Sequence, residues 1–314
     1  MSSPLLFAIA ALIWGSTFFA ITWQLGEVAP AVSVVYRFGL ASASLFCWCL
    51  LRGRSLRLPR AAVRWVVLQG FFTFALSYVC TYSSEQYLVS ALVAVLFALM
   101  VFWNPLCSRL AFGTTVAWRT WAAGMVAITG VTMLFFHAIV DAWGTIIGGG
   151  AGSFLFGLGL AFVATIASTI GNVVVFKIRE KSANLFLTMA WSMFSGTVMV
   201  ALWALASGQQ FTLPHGARYW AALLYLSLFG SVIAFAAYFT LINRIGAQKA
   251  VYVIVVTPVI SLLLSMQLEH YRPGPLEFLG MILCLASVAW AVRTPSPSPT
   301  PVVLCNLTTL PEVP

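Results

Sequence analysis

The sequence predicts an all-α polytopic membrane protein, with ten transmembrane helices arranged as two inverted five-helix repeats around a central cavity. Three observations predict it. Of 314 residues, 61% are hydrophobic and 7% charged, where a soluble domain carries roughly 25% charged residues. The apolar residues fall into ten runs, each close to the ~20 residues a helix needs to cross hydrocarbon. The basic residues then collect in loops on one side of the resulting topology, as membrane orientation signals do. So much apolar surface cannot be hidden from water behind 16 basic and 7 acidic residues, which excludes soluble enzymes, nucleic-acid modules and disordered chains. The net charge of +9 reads as orientation rather than as a surface for acidic partners.

The predicted spans cover about 4–22, 30–51, 64–82, 87–108, 117–137, 153–176, 184–205, 217–242, 247–268 and 275–292. Continuous apolar runs of this length argue helix; barrel strands would alternate over about ten residues. Turn residues and charges separate the spans, among them Gly26 to Pro30, Arg52 to Arg64, Gly148 to Gly152, Lys177 to Lys181 and Gly208 to Pro214. Only Met1-Ser2-Ser3-Pro4 precedes the first run, with no basic region, so it reads as a retained span rather than a cleaved signal. The expected organisation is a first repeat over 1–147, a Gly-rich link at 148–152, a second, inverted repeat over 153–293, and a disordered Pro/Ser/Thr-rich tail at 294–314.

Charge placement tests this division. With the N-terminus cytoplasmic, thirteen of the 16 Lys and Arg fall in inner loops, Arg218 and Arg272 fall outside, and Arg37 lies within the second span. Both termini then face the cytoplasm of a bacterial-type inner membrane. Five is odd, so a second copy must enter the bilayer upside down and its basic loops must change sides. The loop after span one has no Lys or Arg, while its counterpart after span six has Lys177, Arg179 and Lys181. The loop after span two has five Arg, while its counterpart after span seven has Arg218 alone. Sliding the chain by 160 sets Ser77-Tyr78 over Ala237-Tyr238 and Ser90-Ala91-Leu92 over Ala250-Val251-Tyr252. Inverted repeats recur in secondary transporters, with the substrate site near the midplane between the halves.

Trp14-Gly15-Ser16-Thr17-Phe18 in span one, Pro30 followed by Tyr36-Arg37-Phe38 in span two, and Pro258 with Leu268-Glu269 around span nine carry a family resemblance. Over roughly residues 4–292 the chain resembles the ten-helix EamA-type exporters of the drug/metabolite transporter superfamily, and within them it looks most like the YddG-type aromatic amino acid exporters. The resemblance implies alternating-access export of small amphipathic metabolites, without ATP. Two positions depart from the symmetry of the halves: Ala98 stands opposite Pro258, and Arg109 ends span four where Glu269 ends span nine.

A cavity-facing stripe in a membrane helix shows small and hydroxylated residues at helical spacing. Span six gives the clearest one, Gly157, Ala161, Thr165, Ser168 and Asn172. Span one offers Trp14 and Thr17, span three Thr73, Ser77 and Thr81 with Tyr78 and Tyr82 alongside, span eight Tyr238, and span nine Tyr252 and Thr257. Close helix packing without a ligand explains any single stripe equally well. Asn172 is more specific, because a carboxamide in hydrocarbon requires a partner. Tyr78 and Tyr238, equivalent under the repeat, are expected to face the cavity, one toward each mouth; the interfacial aromatic belt is the competing account. Arg37 has three readings: snorkelling to the outer surface, a structural pair with Glu85 or Glu27, or capture of a substrate carboxylate. Pro258 is expected to kink span nine and shape or gate the path.

The absences narrow the chemistry. No span carries Asp or Glu near its centre to select an organic cation or hold a coupling proton, and one buried Arg is too few for a polyanion. A neutral or zwitterionic, largely apolar solute fits, and aromatic and bulky aliphatic amino acids satisfy that description. Six cysteines form no metal spacing, His137, His215 and His270 lie at or beyond span ends, and the glycine run at 148–152 lacks a P-loop ending. The chain is therefore read as a non-enzyme needing no cofactor or metal, with an intramembrane enzyme as the alternative class. Its expected partners are a small-molecule substrate and the lipid bilayer, without nucleic acid, and a monomer suffices. A reporter fused after Arg293 should read out in the cytoplasm, and one inserted between Gln209 and Pro214 on the opposite face; the reverse pattern would break the assignment of five spans per half.

Overall fold

The structure, a computed structural model, describes residues 1–88, 93, 96–113, 116–134, 136–145, 147, 151–182, 184–268 and 274–293. The described residues are helical with short connections and contain no strand. Ten helices follow the predicted order. They are α1 (Ser3–Thr22), α2 (Pro30–Leu51), α3 (Arg60–Ser84), α4 (Met100–Phe112) and α5 (Trp118–Leu134), then α6 (Ala151–Lys181), α7 (Leu185–Ala206), α8 (Ala217–Ile245), α9 (Tyr252–Leu268) and α10 (Pro275–Arg293). A short helix, Phe136–Thr145, follows α5, and a single turn, Ala247–Ala250, precedes α9. Lipid offers a backbone no hydrogen-bond partner, so the chain meets its own needs by helix throughout.

Two boundaries correct the sequence reading. Lys177 to Lys181 is not a loop but the last turn of α6, where Lys177 Nζ pairs with Glu180 3.2 Å away and Arg179 Nη1 donates to Asn243 O at 2.5 Å. Charge ends the hydrocarbon crossing, not the helix; the backbone bonds continue into the interface. Ala151 and Gly152, read as part of the glycine-rich link, already belong to α6, while 148–150 lie outside the described residues. Ser90, Ala91, Leu92, Glu269, Arg272 and the tail from 294 also lie outside them.

Contacts between loops establish that the halves run antiparallel. At one end, which we call the basic end, Arg54 reaches Asn184 Oδ1 at 3.5 Å, Trp191 Nε1 donates to Leu56 O, and Arg244 Nη1 donates to Met1 O. The start of α1, the end of α2, the start of α7 and the end of α8 therefore meet there. At the far end Tyr36 OH donates to Thr212 O, and Gly216 N donates to Glu27 Oε2 at 3.3 Å, joining the connection after α1 to the one after α7. Helix pairing obeys the same symmetry. α1 packs on α8 and α9, as α6 packs on α3 and α4; α3 packs on α7, as α8 packs on α2; α2–α7 and α5–α10 map onto themselves.

Two details repeat across the halves. Gly70–Ser77 in α3 and Leu226–Ile233 in α8 are π-wound, at matching places in the two copies. π turns are rare and concentrate at functional sites. The α5–α10 seam closes on a glycine pair: a Cβ on Gly130 would lie 2.8 Å from Cys284 N, and one on Gly280 2.6 Å from Gly130 O. Small residues are what allow membrane helices to approach this closely. Gly280→Val forces backbone apart at that seam and should cost about 1–3 kcal/mol, read as a drop of several degrees in the detergent melting temperature. Gly159→Ala, which meets nothing within 4 Å, should leave the melt unchanged.

Candidate functional site

A cavity of about 90 Å³ lies between the halves, bounded by α1, α2, α3, α4, α6, α8 and α9. At roughly 10–15 Å³ per water it has room for several waters. Its wall is mainly aromatic and aliphatic, interrupted by a few polar groups. The Trp14 ring centroid lies 4.9 Å from Tyr238 and 5.1 Å from Phe235; Tyr78 lies 4.6 Å from Phe38 and 6.2 Å from Phe235.

The Trp14-Gly15-Ser16-Thr17 segment builds one side of it. Gly15 lets α1 approach α9 so closely that a Cβ would lie 2.6 Å from the Ile260 side chain. Trp14 Nε1 donates to Gly230 O at 3.1 Å, within the π-wound part of α8, and Ser16 Oγ meets Tyr225 OH at 2.5 Å. Thr17 completes the wall, its hydroxyl returned to Trp14 O. The motif thus ties the first helix of one half to α8 and α9 of the other.

The polar groups come from facing helices. Asn172 of α6 donates to Tyr238 OH at 3.1 Å and toward Asn104 Oδ1 at 3.4 Å, which supplies the partners a buried carboxamide requires. Ser77 and Ser168 share a hydrogen bond of 2.6 Å. Thr73 lines the cavity with its hydroxyl buried and unpartnered among the described residues.

Arg37 does not snorkel. It is 1% exposed, lines the cavity, and donates from Nε to Ser231 Oγ at 3.0 Å and from Nη1 to Tyr82 OH at 3.2 Å. Its Cζ sits 4.8 Å from the Tyr78 ring centroid, a cation–π arrangement. No carboxylate lies within 4.0 Å of it among the described residues, so neither predicted pair with Glu85 or Glu27 forms. Tyr82 OH donates onward to Gln24 Oε1 at 2.9 Å. Arg37, Tyr82 and Gln24 form a fully buried layer between the cavity and the far end. The basic end differs: a second cavity of about 230 Å³ opens there among Gln69, Arg179, Thr188, Phe239 and Asn243.

The sequence-derived residues therefore separate. Trp14, Thr17, Arg37, Tyr78, Ser168, Asn172 and Tyr238 share one cavity wall. Tyr82, Thr165, Tyr252 and Pro258 do not line it. Tyr82 belongs to the layer behind Arg37, Thr165 returns its hydroxyl to Ala161 O, and Tyr252 is buried among α4, α5 and α10 side chains. Pro258 is buried within α9, where its neighbour Thr257 reaches the wall instead. Tyr78 and Tyr238 face the same cavity rather than opposite mouths. Sequence reasoning passed over Asn104 and Phe235; Asn104 stands beside Pro105, whose place inside α4 was a usable signal.

The EamA-like transporter family matches this chain twice, over residues 1–136 and 155–293. The chain belongs to that family. It is 27% identical over 281 residues to the uncharacterised inner membrane transporter YedA of Escherichia coli K12, covering 88% of this chain and 87% of that protein. A 109-residue stretch, 35% of the chain, is 30% identical to the S-adenosylmethionine/S-adenosylhomocysteine transporter of Chlamydia trachomatis, covering 33% of it. One crystal structure superposes with a TM-score of 0.73 over 92% of this chain and 96% of its own, at 20% identity, which establishes the shared fold. The family member described here is thus a membrane transporter of the EamA fold. Tyr238→Phe removes the acceptor of Asn172 and should cost about 1 kcal/mol in stability. The double variant with Asn172→Leu should melt higher than the sum of the single losses predicts, because the two changes remove one shared bond.

Proposed function

We propose that this EamA-family member is a secondary transporter of small amphipathic metabolites, working by alternating access, with aromatic and bulky neutral amino acids as its substrates. Family membership supplies the broad class. One observation carries the substrate: a single buried guanidinium without a carboxylate partner stands in a wall whose other side chains are aromatic, aliphatic or neutral polar. Its Nη2 makes no hydrogen bond among the described residues, and a substrate carboxylate there would gain charge-assisted bonds. The apolar side chain would lie against Trp14, Tyr78 and Phe235. The ammonium group would find the Tyr faces and the oxygens of Ser77, Ser168 and Asn172. An organic cation would want an acidic residue in this wall, and a polyanion would want several cations.

The 90 Å³ cavity is the contracted form of this site, and substrate entry requires the halves to separate. On this reading the two copies, 1–147 and 153–293, rock against each other around Arg37 and Asn172. The basic end, with Arg52 to Arg64 and Lys177 to Lys181, is the cytoplasmic one, and both termini lie on that side. The resemblance implies export; net direction follows the gradients on the two faces. A second reading comes from the Chlamydia relative. S-adenosylhomocysteine also joins an amino-acid carboxylate to an aromatic ring, and the same wall suits it. Proteoliposome exchange with labelled Phe, Trp, Leu, S-adenosylhomocysteine, a nucleoside and a quaternary amine tests both. Phe and Trp should exchange at least ~10-fold faster than the nucleoside or the amine, a margin of ~1.4 kcal/mol. Flux of the quaternary amine with none of any amino acid would overturn the assignment.

A further inference from the structure

Behind the cavity wall lies an acid that the reading above does not use. Glu85 caps the C-terminal end of α3, one residue beyond it, and is 7% exposed. Neither of its carboxyl oxygens has a hydrogen-bond partner among the described residues. Gln24 Nε2, in the same buried layer, is an unpartnered donor. An ionised carboxylate placed in such surroundings without a partner is costly, and the ordinary escape is to take up a proton. Burial pushes the Glu85 carboxyl up to about 8, against the opposing pull of the Arg37 guanidinium. Arg37 is the charged group that acts on Glu85, and Tyr82 is the other titratable group in contact with this pair. Tyr78 faces the guanidinium from the cavity side.

Arg37 therefore stands between two anions that compete for it: Glu85 behind, and whatever carboxylate enters the cavity in front. While Glu85 carries a proton, the guanidinium is free to face the cavity, as it does here. When Glu85 is ionised, the uncompensated carboxylate draws the guanidinium toward itself and away from Ser231 and Tyr78. The linkage is reciprocal. A carboxylate bound at Arg37 removes the charge that favours ionised Glu85, so the acid takes a proton from water as substrate binds. We propose that Glu85 is a proton-binding site coupled to substrate through Arg37, so that a carboxylate-bearing substrate and one proton occupy the protein together. This rests on the reading of Arg37 as the carboxylate anchor. It also ties direction to the proton gradient, since loading is favoured on the more acidic face.

The test measures labelled Phe binding to the purified protein between pH 6.5 and 9, with proton uptake on Phe addition followed in weak buffer. Wild type should bind Phe about tenfold more weakly at pH 9 than at pH 6.5, one unit above the Glu85 midpoint, and should take up a proton at pH 8 to 9. Glu85→Gln, neutral at every pH, should lose that tenfold change and take up only the fraction of a proton that the Phe ammonium itself draws. Titration of the Phe ammonium itself is common to both proteins and cancels in the comparison. If Glu85→Gln does not fold, Glu85→Ala and the wild-type proton count decide the question alone. Wild-type binding that weakens with pH no more than the variant's, or proton uptake in either variant equal to that of wild type, would overturn the coupling. Failure of Phe, Trp and S-adenosylhomocysteine to bind at any pH would instead sink the carboxylate-anchor reading itself.

Discussion

One buried positive charge organises the centre of this bundle. A guanidinium at the middle of a membrane helix costs roughly 3 kcal/mol on insertion scales, and it persists only where protein groups replace water. Arg37 meets that demand with a hydroxyl from α8, a phenol from α3 and the ring of Tyr78. Those partners belong to both halves, so the charge that α2 brings in also fixes how the second repeat sits on the first. The π winding of α8 takes part, because Ser231 returns its own hydroxyl to Leu226 O, five residues back, while accepting from Arg37. A regular α-helix would not place that carbonyl opposite that hydroxyl.

The two repeats share an architecture and divide the chemistry. The first supplies the charge, through Arg37, and the second supplies the phenol–carboxamide pair at the cavity wall, through Asn172 and Tyr238. The matching cross-link in the other copy is neutral: Ser192 of α7 donates to Gln69 Oε1 of α3 at 2.8 Å, where α2 and α8 use Arg37 and Ser231. The homologous pairs of helices are therefore pinned by bonds of unlike character. Duplication preserved the packing geometry while sequence divergence made the two sides of the cavity different.

Much of this was legible in the residues. Run length and loop charge located all ten helices, since hydrocarbon thickness and the positive-inside rule leave little freedom. Asn172 was legible because a carboxamide in an apolar run cannot be ignored. The faces of α3 were less so. Tyr78 and Tyr82 stand one α turn apart on the same face and both meet Arg37, but residue spacing does not say where along that face the cavity ends. Tyr82, one turn nearer the far end, bonds Arg37 and Gln24 behind the wall. Thr165 fell on the predicted stripe but spends its hydroxyl on its own helix, as threonines in apolar helices commonly do. Glu85 falls between the predicted third and fourth spans; only packing reveals that the chain folds it inside.

Under the alternating-access reading proposed above, the unlike cross-links bear on which end responds to substrate. A neutral bond such as Ser192–Gln69 contributes about 1 kcal/mol wherever the substrate is, so the packing it holds is indifferent to what fills the cavity. A guanidinium is not indifferent: every anion that approaches changes its preferred orientation and, with it, the Tyr82–Gln24 layer it anchors. In this structure that layer fills the far end, while a cavity of about 230 Å³ remains at the basic end. In the transport cycle proposed above, a single charge retained in one copy of a duplicated fold makes one closure substrate-sensitive and leaves the other passive. In that cycle symmetric helices would rock either way without preference, and the asymmetry of Arg37 would let the presence of a solute select between the two tilts.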